Sequence, residues 1–196
     1  IRNAMRQTAD SGIRIIDYES GYSRRLDSAM RQNILDGVKA IAHEVSKQTG
    51  EQFGADGIEI SAHNNCAPDH LPYQGRQFSN QEFEEIQENL PRKFGMWNCR
   101  HTLFPIILGL SQPLYTEEER QQMIAQSTEV KEFEGKTYTA YEATQLQRRI
   151  ETEIRKRKDR VILAKEAGDD VSRRVEQLKI NQLQNKYLEL SKKFKL

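Results

Sequence analysis

Cysteine occurs twice in the 196 residues and histidine four times. Two thiols close at most one disulfide, so a disulfide scaffold is excluded and a reducing cytoplasm is the default expectation. No run approaches the ~18 apolar residues that a membrane-spanning helix needs, and no signal peptide is visible. A dominant charge is also lacking: 30 Lys and Arg stand against 29 Asp and Glu, a net of +1. That removes the whole-surface field that would draw the chain to nucleic acid or to an anionic membrane. Apolar residues make up 36% and charged residues 30%, the balance of a lean core under long, solvated surface helices. The first residue is Ile1 rather than Met, which reads as a piece of a longer polypeptide. An N-terminal region, and any targeting segment within it, is expected ahead of Ile1.

Proline is scarce as well, and its placement is informative. All five prolines, Pro68, Pro72, Pro91, Pro105 and Pro113, fall in one central stretch. The expected class is α+β: a small mixed central domain with short β-strands and proline-stiffened loops, flanked by long helices. The expected divisions are residues 1–54, 55–115 and 116–196. In the first, residues 1–10 read as the end of a helix. The β-favouring run Ile13 to Tyr18 follows, between Gly12 and Gly21. An amphipathic helix comes next, capped by Asp27 or Ser28, carrying Met30, Ile34, Val38, Ile41 and Val45 and closed by Gly50 and Gly54. In the second, "GIEISAH" alternates as a half-buried strand with Ile58 and Ile60 on one face. Ser79 or Asn80 caps a short acidic helix.

The third division opens on a helix whose capping box is Thr116 with Glu119. "KEFEGKTYTAY" reads as a hairpin turning at Gly135. Ala143, Leu146, Ile150, Ile154 and Val161 then form one apolar stripe. Val171, Val175, Leu178, Leu183, Tyr187, Leu190 and Phe194 form another. Gly168 stops the first helix and Asp169 or Asp170 restarts the second, so the pair reads as a C-terminal αα-hairpin. Narrow stripes seek company, and Leu183, Tyr187, Leu190 and Phe194 are the candidate partner-facing seam, with packing on the chain's own helices as the equal alternative. Residues 141–196 hold 15 Lys and Arg against 9 Asp and Glu, a local net of +6. This is the solvated face of a helical pair or, in a sharper reading, a basic arm for an acidic partner or packaged DNA.

The rare side chains are clustered. "HNNCAPDH" (His63 to His70) and "NCRH" (Asn98 to His101) together hold both cysteines and three of the four histidines. His63, Cys66, Cys99 and His101 are soft and borderline ligands, and as a set of four they could hold a structural zinc ion. The same neighbourhood could instead supply a metal-independent nuclease. His63 or His70 would be the general base, Arg76 would stabilise an anionic phosphorane, and His101, Tyr73 or Ser79 would assist. A Cys66 or Cys99 nucleophile paired with a histidine is a further possibility. The plainest reading is a structural clamp of buried thiols and hydrogen-bonded rings, with Arg76 in a turn, paired to Asp69 or Glu59. All three require the centre to bring Cys66 and Cys99 together.

"GIRIIDYESGYSRRLDSAMRQNI", "GADGIEISAHNNCAPDHLPYQGRQFS", "FGMWNCRHTLFPIILGLSQP" and "YTAYEATQLQRRIETEIRKRK", in order along the chain, resemble the phage minor capsid protein 2 family. The positions that carry the likeness most closely are His63, Cys66, His70, Gln74, Gly75, Arg76, Asn98, Cys99, Arg100 and His101. The resemblance implies a head protein of tailed phages or prophages, associated with portal or capsid and oligomeric in the particle. It implies virion partners such as portal, major capsid or scaffold, and assembly in the bacterial host cytoplasm. It assigns no catalytic role. Some domains attached to phage head proteins resemble small ribonucleases of the barnase and colicin type, which is the footing of the nuclease alternative. A zinc-stapled interaction module is the second alternative.

Overall fold

The computed structural model describes residue 3, residues 15–17, residue 19 and residues 23–196. The helix end expected over residues 1–10, and Gly12 and Gly21, lie outside the described residues apart from Asn3. The class is α+β, with short antiparallel strands and a C-terminal pair of long helices. The chain divides into two compact units, Met30–Glu129 on the one hand and Ile1–Ala29 with Val130–Leu196 on the other.

Strands β1 (Ile15–Asp17) and β2 (Ser23–Arg25) pair antiparallel, with Ile16 opposite Arg24. Helix α1 (Leu26–Gln52) follows β2 directly. Asp27 and Ser28 therefore fall inside its first turn instead of capping it. Asp27 is still well placed there, because a carboxylate at a helix N-terminus complements the dipole.

In the unit Met30–Glu129, β3 (Gly57–Ile60) is the middle strand of a sheet ordered β4-β3-β5. Its neighbours are β4 (Gln77–Ser79) and β5 (Leu103–Ile106), both antiparallel. Pro105 sits on edge strand β5, where a missing N–H is tolerated. Every residue of β3 is buried, not alternate ones. Ile58 and Ile60 join Phe83, Phe94 and Leu103 in the core. On the other face the Glu59 carboxylate accepts Nε2–H of Gln77 at 3.0 Å and the N–H of Leu114 at 2.7 Å, so its burial is compensated. Gly57 has no room for a side chain, since a Cβ would lie 2.7 Å from the Phe78 carbonyl oxygen. Ser79 caps α2 (Asn80–Asn89) and Thr116 caps α3 (Glu117–Thr128), each in a complete capping box with Glu82 and Glu119.

In the other unit, β6 (Lys131–Phe133) and β7 (Lys136–Tyr138) form a hairpin whose two turn residues, Glu134 and Gly135, both have positive φ. That is the twist-matched turn of two-residue hairpins, with Glu in place of the usual Asn or Asp. Thr139 caps α4 (Ala140–Glu166) in a third capping box, with Glu142. Gly168, at φ 67°, ends α4, and Asp169 caps α5 (Asp170–Phe194) through a bond from the Ser172 N–H. Phe133, Ala143, Ile150, Leu190 and Phe194 form this core, with Leu183 and Tyr187 packed against it. The four residues of the candidate partner seam thus pack into their own chain. The stripe on α5 also differs from the simple spacing. Val171, Val175 and Leu178 are exposed, whereas Glu176 and Ile180 face inward. The inward row is Glu176, Ile180, Leu183, Tyr187, Leu190 and Phe194, a regular alternation of four and three in which Leu183 and Tyr187 are half-buried.

Candidate functional site

Two irregular segments of the unit Met30–Glu129 build the Cys/His cluster, one between β3 and β4 and one between α2 and β5. The first makes a tight turn, with the amides of His70 and Leu71 bonded to the Ala67 carbonyl and those of Tyr73 and Gln74 to the His70 carbonyl. It delivers His63, Cys66 and His70. The second turns back through Trp97 and Asn98, both at positive φ (54° and 61°), and delivers Cys99 and His101. Left-handed backbone costs an ordinary residue roughly 1–2 kcal/mol. Helix α1 offsets that cost here: the Asp36 carboxylate accepts the Trp97 N–H at 3.0 Å and the Asn98 N–H at 3.3 Å. The Lys39 ammonium donates to the Cys99 carbonyl.

The side chains converge on His101. The Cys99 sulfur lies 3.3 Å from its Nδ1 and the Cys66 sulfur 3.6 Å from its Nε2. The two thiols are therefore neighbours across one imidazole, as the sequence reading required, and both are free. His70 Nδ1 lies 3.6 Å from the Cys99 sulfur, and its Nε2–H donates to the Arg92 carbonyl at 2.7 Å. Arg92 also grips Asp69 with its guanidinium, through Nε at 2.9 Å. One ligand atom from each of His70, Cys99 and His101 lies within 4.8 Å of the other two. The His63 ring lies tilted beside that of His101, centroids 4.5 Å apart. Its Nδ1 accepts the Asn65 N–H, and its Nε2 is buried without a partner among the described residues.

Burial dominates the acid–base character. It pushes His101 down to about 3, helped by the neighbouring His63 and His70, and His63 down to about 4, helped by Arg100. It pushes the Cys66 thiol up to about 12, with Cys99 adding in the same direction. On Cys99 burial also works upward, but the bond to His70 and the backbone of Gly95 and His101 outweigh it, so that thiol is lowered. His70 is the converse: burial works downward, and Cys99 with the Arg92 carbonyl reverses it, so the imidazole is raised.

Cys66, His70 and His101 are buried. Arg76 is exposed instead, its guanidinium over the Phe78 ring at 5.4 Å and one N–H directed at the Pro72 carbonyl. It is paired with neither Asp69, which Arg92 holds, nor Glu59, which Gln77 holds. Tyr73 packs against the core, and Ser79 is occupied as the α2 cap. Asp36, Lys39 and Arg92 were not anticipated from sequence. They lie up to 62 positions from the groups they hold, and nothing in local spacing marks them.

No curated protein and no solved structure matches the chain. No described helix is long and apolar enough to cross a membrane. The family model described as phage minor capsid protein 2 matches residues 1–190, and the chain belongs to that family of phage structural proteins, which places it in the virion.

Proposed function

We propose that the chain is a minor structural protein of a tailed-phage head, assembled in the bacterial host cytoplasm and docked on a neighbouring head subunit, portal or capsid, through one face of α1. The observation that carries this reading is the solvent exposure of that face. Ile34, Val38, Ile41 and Val45 are 62%, 60%, 68% and 58% exposed, and Met30 continues the row at 54%. Their spacing of four, three and four is that of a coiled-coil seam. Single exposed apolar residues are ordinary, but an ordered row along one helix marks an interaction surface. Burying each side chain against a partner helix contributes on the order of 1.5–3 kcal/mol before the cost of association. The positive charge of residues 141–196 supports a contact with packaged DNA less strongly, because Arg157, Arg160 and Lys179 already surround Glu176.

The test is incorporation into particles. Phage carrying Val38→Asp and Ile41→Asp are grown, heads are purified, and this protein is quantified by mass spectrometry. The expected result is a virion-associated wild type and a variant that accumulates soluble and folded in the lysate but is missing from heads. Normal copy number of the variant in heads would remove α1 from the interface. A wild-type protein missing from purified particles would remove the virion role itself.

A further inference from the structure

We propose that His70, Cys99, His101 and Cys66 bind a single zinc ion that staples the two irregular segments of the unit Met30–Glu129. The distances fit. Zn–S bonds of about 2.3 Å and Zn–N bonds of about 2.0–2.1 Å in a tetrahedron place sulfur and nitrogen about 3.6 Å apart. The Cys99 sulfur is 3.6 Å from His70 Nδ1 and 3.3 Å from His101 Nδ1, and one ligand atom from each of these three residues lies within 4.8 Å of the others; the Cys66 sulfur stands 3.6 Å from the opposite ring nitrogen, Nε2.

The outer contacts fit as well. A carbonyl only accepts, so the Arg92 carbonyl fixes the proton of neutral His70 on Nε2. The Nδ1 lone pair is left facing the Cys99 sulfur. A ring nitrogen bonded to backbone oxygen, with the other nitrogen presented inward, is the usual setting of a metal-ligating histidine. His63 is assigned no bond to the ion. Its Nδ1 lone pair is used by the Asn65 N–H, so the proton sits on Nε2. Two thiols and two imidazoles select zinc over the hard cations calcium and magnesium. His101 binds through Nδ1, the nitrogen that faces Cys99, and Cys66, on the Nε2 side of the ring, must turn its thiol about the Cα–Cβ bond to take the fourth corner. Binding releases the two thiol protons to solvent as the thiolates form. Four protein ligands in a buried cluster leave no open coordination position, so the ion is structural.

The staple also has a physical purpose. Its ligands sit on two segments without regular secondary structure, beside a core of five buried apolar residues, Ile58, Ile60, Phe83, Phe94 and Leu103. Its metal-free competitor is a relay of hydrogen bonds from Cys66 through His101 and Cys99 to His70 and the Arg92 carbonyl. That relay depends on thiols, which are weak donors.

The chain is expressed without a metal-affinity tag, purified without chelator and analysed by inductively coupled plasma mass spectrometry. One zinc per chain is expected. Replacement of zinc by cobalt(II) should give a thiolate-to-cobalt charge-transfer band and the intense visible bands of tetrahedral cobalt. Cys99→Ser and His70→Asn should weaken zinc binding by more than about 100-fold, beyond the effect of losing a second-shell contact. Cys66→Ser should lose part of the charge-transfer intensity, and His63→Ala should keep one zinc. A wild-type chain with no zinc above blank and no charge-transfer band overturns the proposal whatever the variants do. A full-intensity band in Cys66→Ser overturns the four-ligand set.

Discussion

The carboxylate of Asp36 accepts the backbone N–H of Trp97 at 3.0 Å, and its other oxygen takes the N–H of Asn98. One side chain on α1 thereby holds two consecutive left-handed residues immediately before Cys99. Asp36→Ala frees both amides and removes what compensates the strain. The expected loss is about 1–2 kcal/mol, set at the lower end because Trp97 is exposed and water can replace part of the bond. Urea denaturation reads the loss, and amide exchange at Trp97 and Asn98 should quicken first. Unchanged exchange at those two amides would mean that the turn holds itself.

Glu176 on α5 is 3% exposed, and its carboxylate lies 2.9 Å from Arg157, 3.7 Å from Arg160 and 3.7 Å from Lys179. Removing it takes a buried counter-charge from between the packed helices, although Arg157 keeps its ion pair with Glu153 at 2.7 Å. Glu176→Ala should cost about 3 kcal/mol, near the low end for a broken buried pair because the cations are partly solvated. Glu176→Met, which fills the space without charge, does not restore stability while Arg157 remains. Combined with Arg157→Leu it should recover most of the loss. Thermal melting of these chains together with Arg157→Leu alone tests this, and additive losses in the double variant would refute the coupling.

Glu176 also shows where the sequence stops being readable. The spacing of four and three that runs through Ile180, Leu183, Tyr187, Leu190 and Phe194 passes through it, but a charged residue is not counted as core. The apolar residues Val171, Val175 and Leu178 therefore drew the stripe onto the exposed face. The step of five from Leu178 to Leu183 was the available signal of the change. Helix ends were legible where local chemistry decides them: Ser79, Thr116, Asp169 and the turn at Gly135 stand where their side chains or φ angles require. Asp27 was misplaced because a strand running straight into a helix leaves no separate cap. In the Cys/His cluster the gathering of rare residues was visible, and Cys66 and Cys99 do meet across His101. The protonation pattern was not visible. That His70 rather than His63 presents a ring lone pair to the Cys99 sulfur depends on Arg92 and Asn65, and no spacing rule reports which backbone group a ring will find.

Glu59 gives a third prediction. Its buried carboxylate is shared between the Gln77 side chain and the Leu114 N–H. Glu59→Ala strands both donors and should destabilise by about 2 kcal/mol. Glu59→Gln keeps one oxygen for one of them and should cost roughly half as much by the same reasoning. Chemical denaturation of the two variants gives the comparison. Equal losses would show that the charge rather than the acceptor count is what β3 needs.

Two glycines of α1 should respond in opposite directions to the same substitution. Both sit in helix, where alanine is favoured over glycine by about 0.8–1 kcal/mol. Among the described residues a Cβ at Gly37 meets nothing within 4 Å, so Gly37→Ala should realise most of that gain. A Cβ at Gly50 would press on the Pro105 ring, lying 2.9 Å from its Cγ and closer still to its Cβ. The ring is fixed in β5 and cannot swing aside, so helix and sheet must separate. Overpacking of that kind costs typically 1–3 kcal/mol, more than the propensity gain. Gly50→Ala should therefore lower the melting temperature while Gly37→Ala raises it. A rise in both would mean that α1 does not rest on β5 as closely as the backbone positions require.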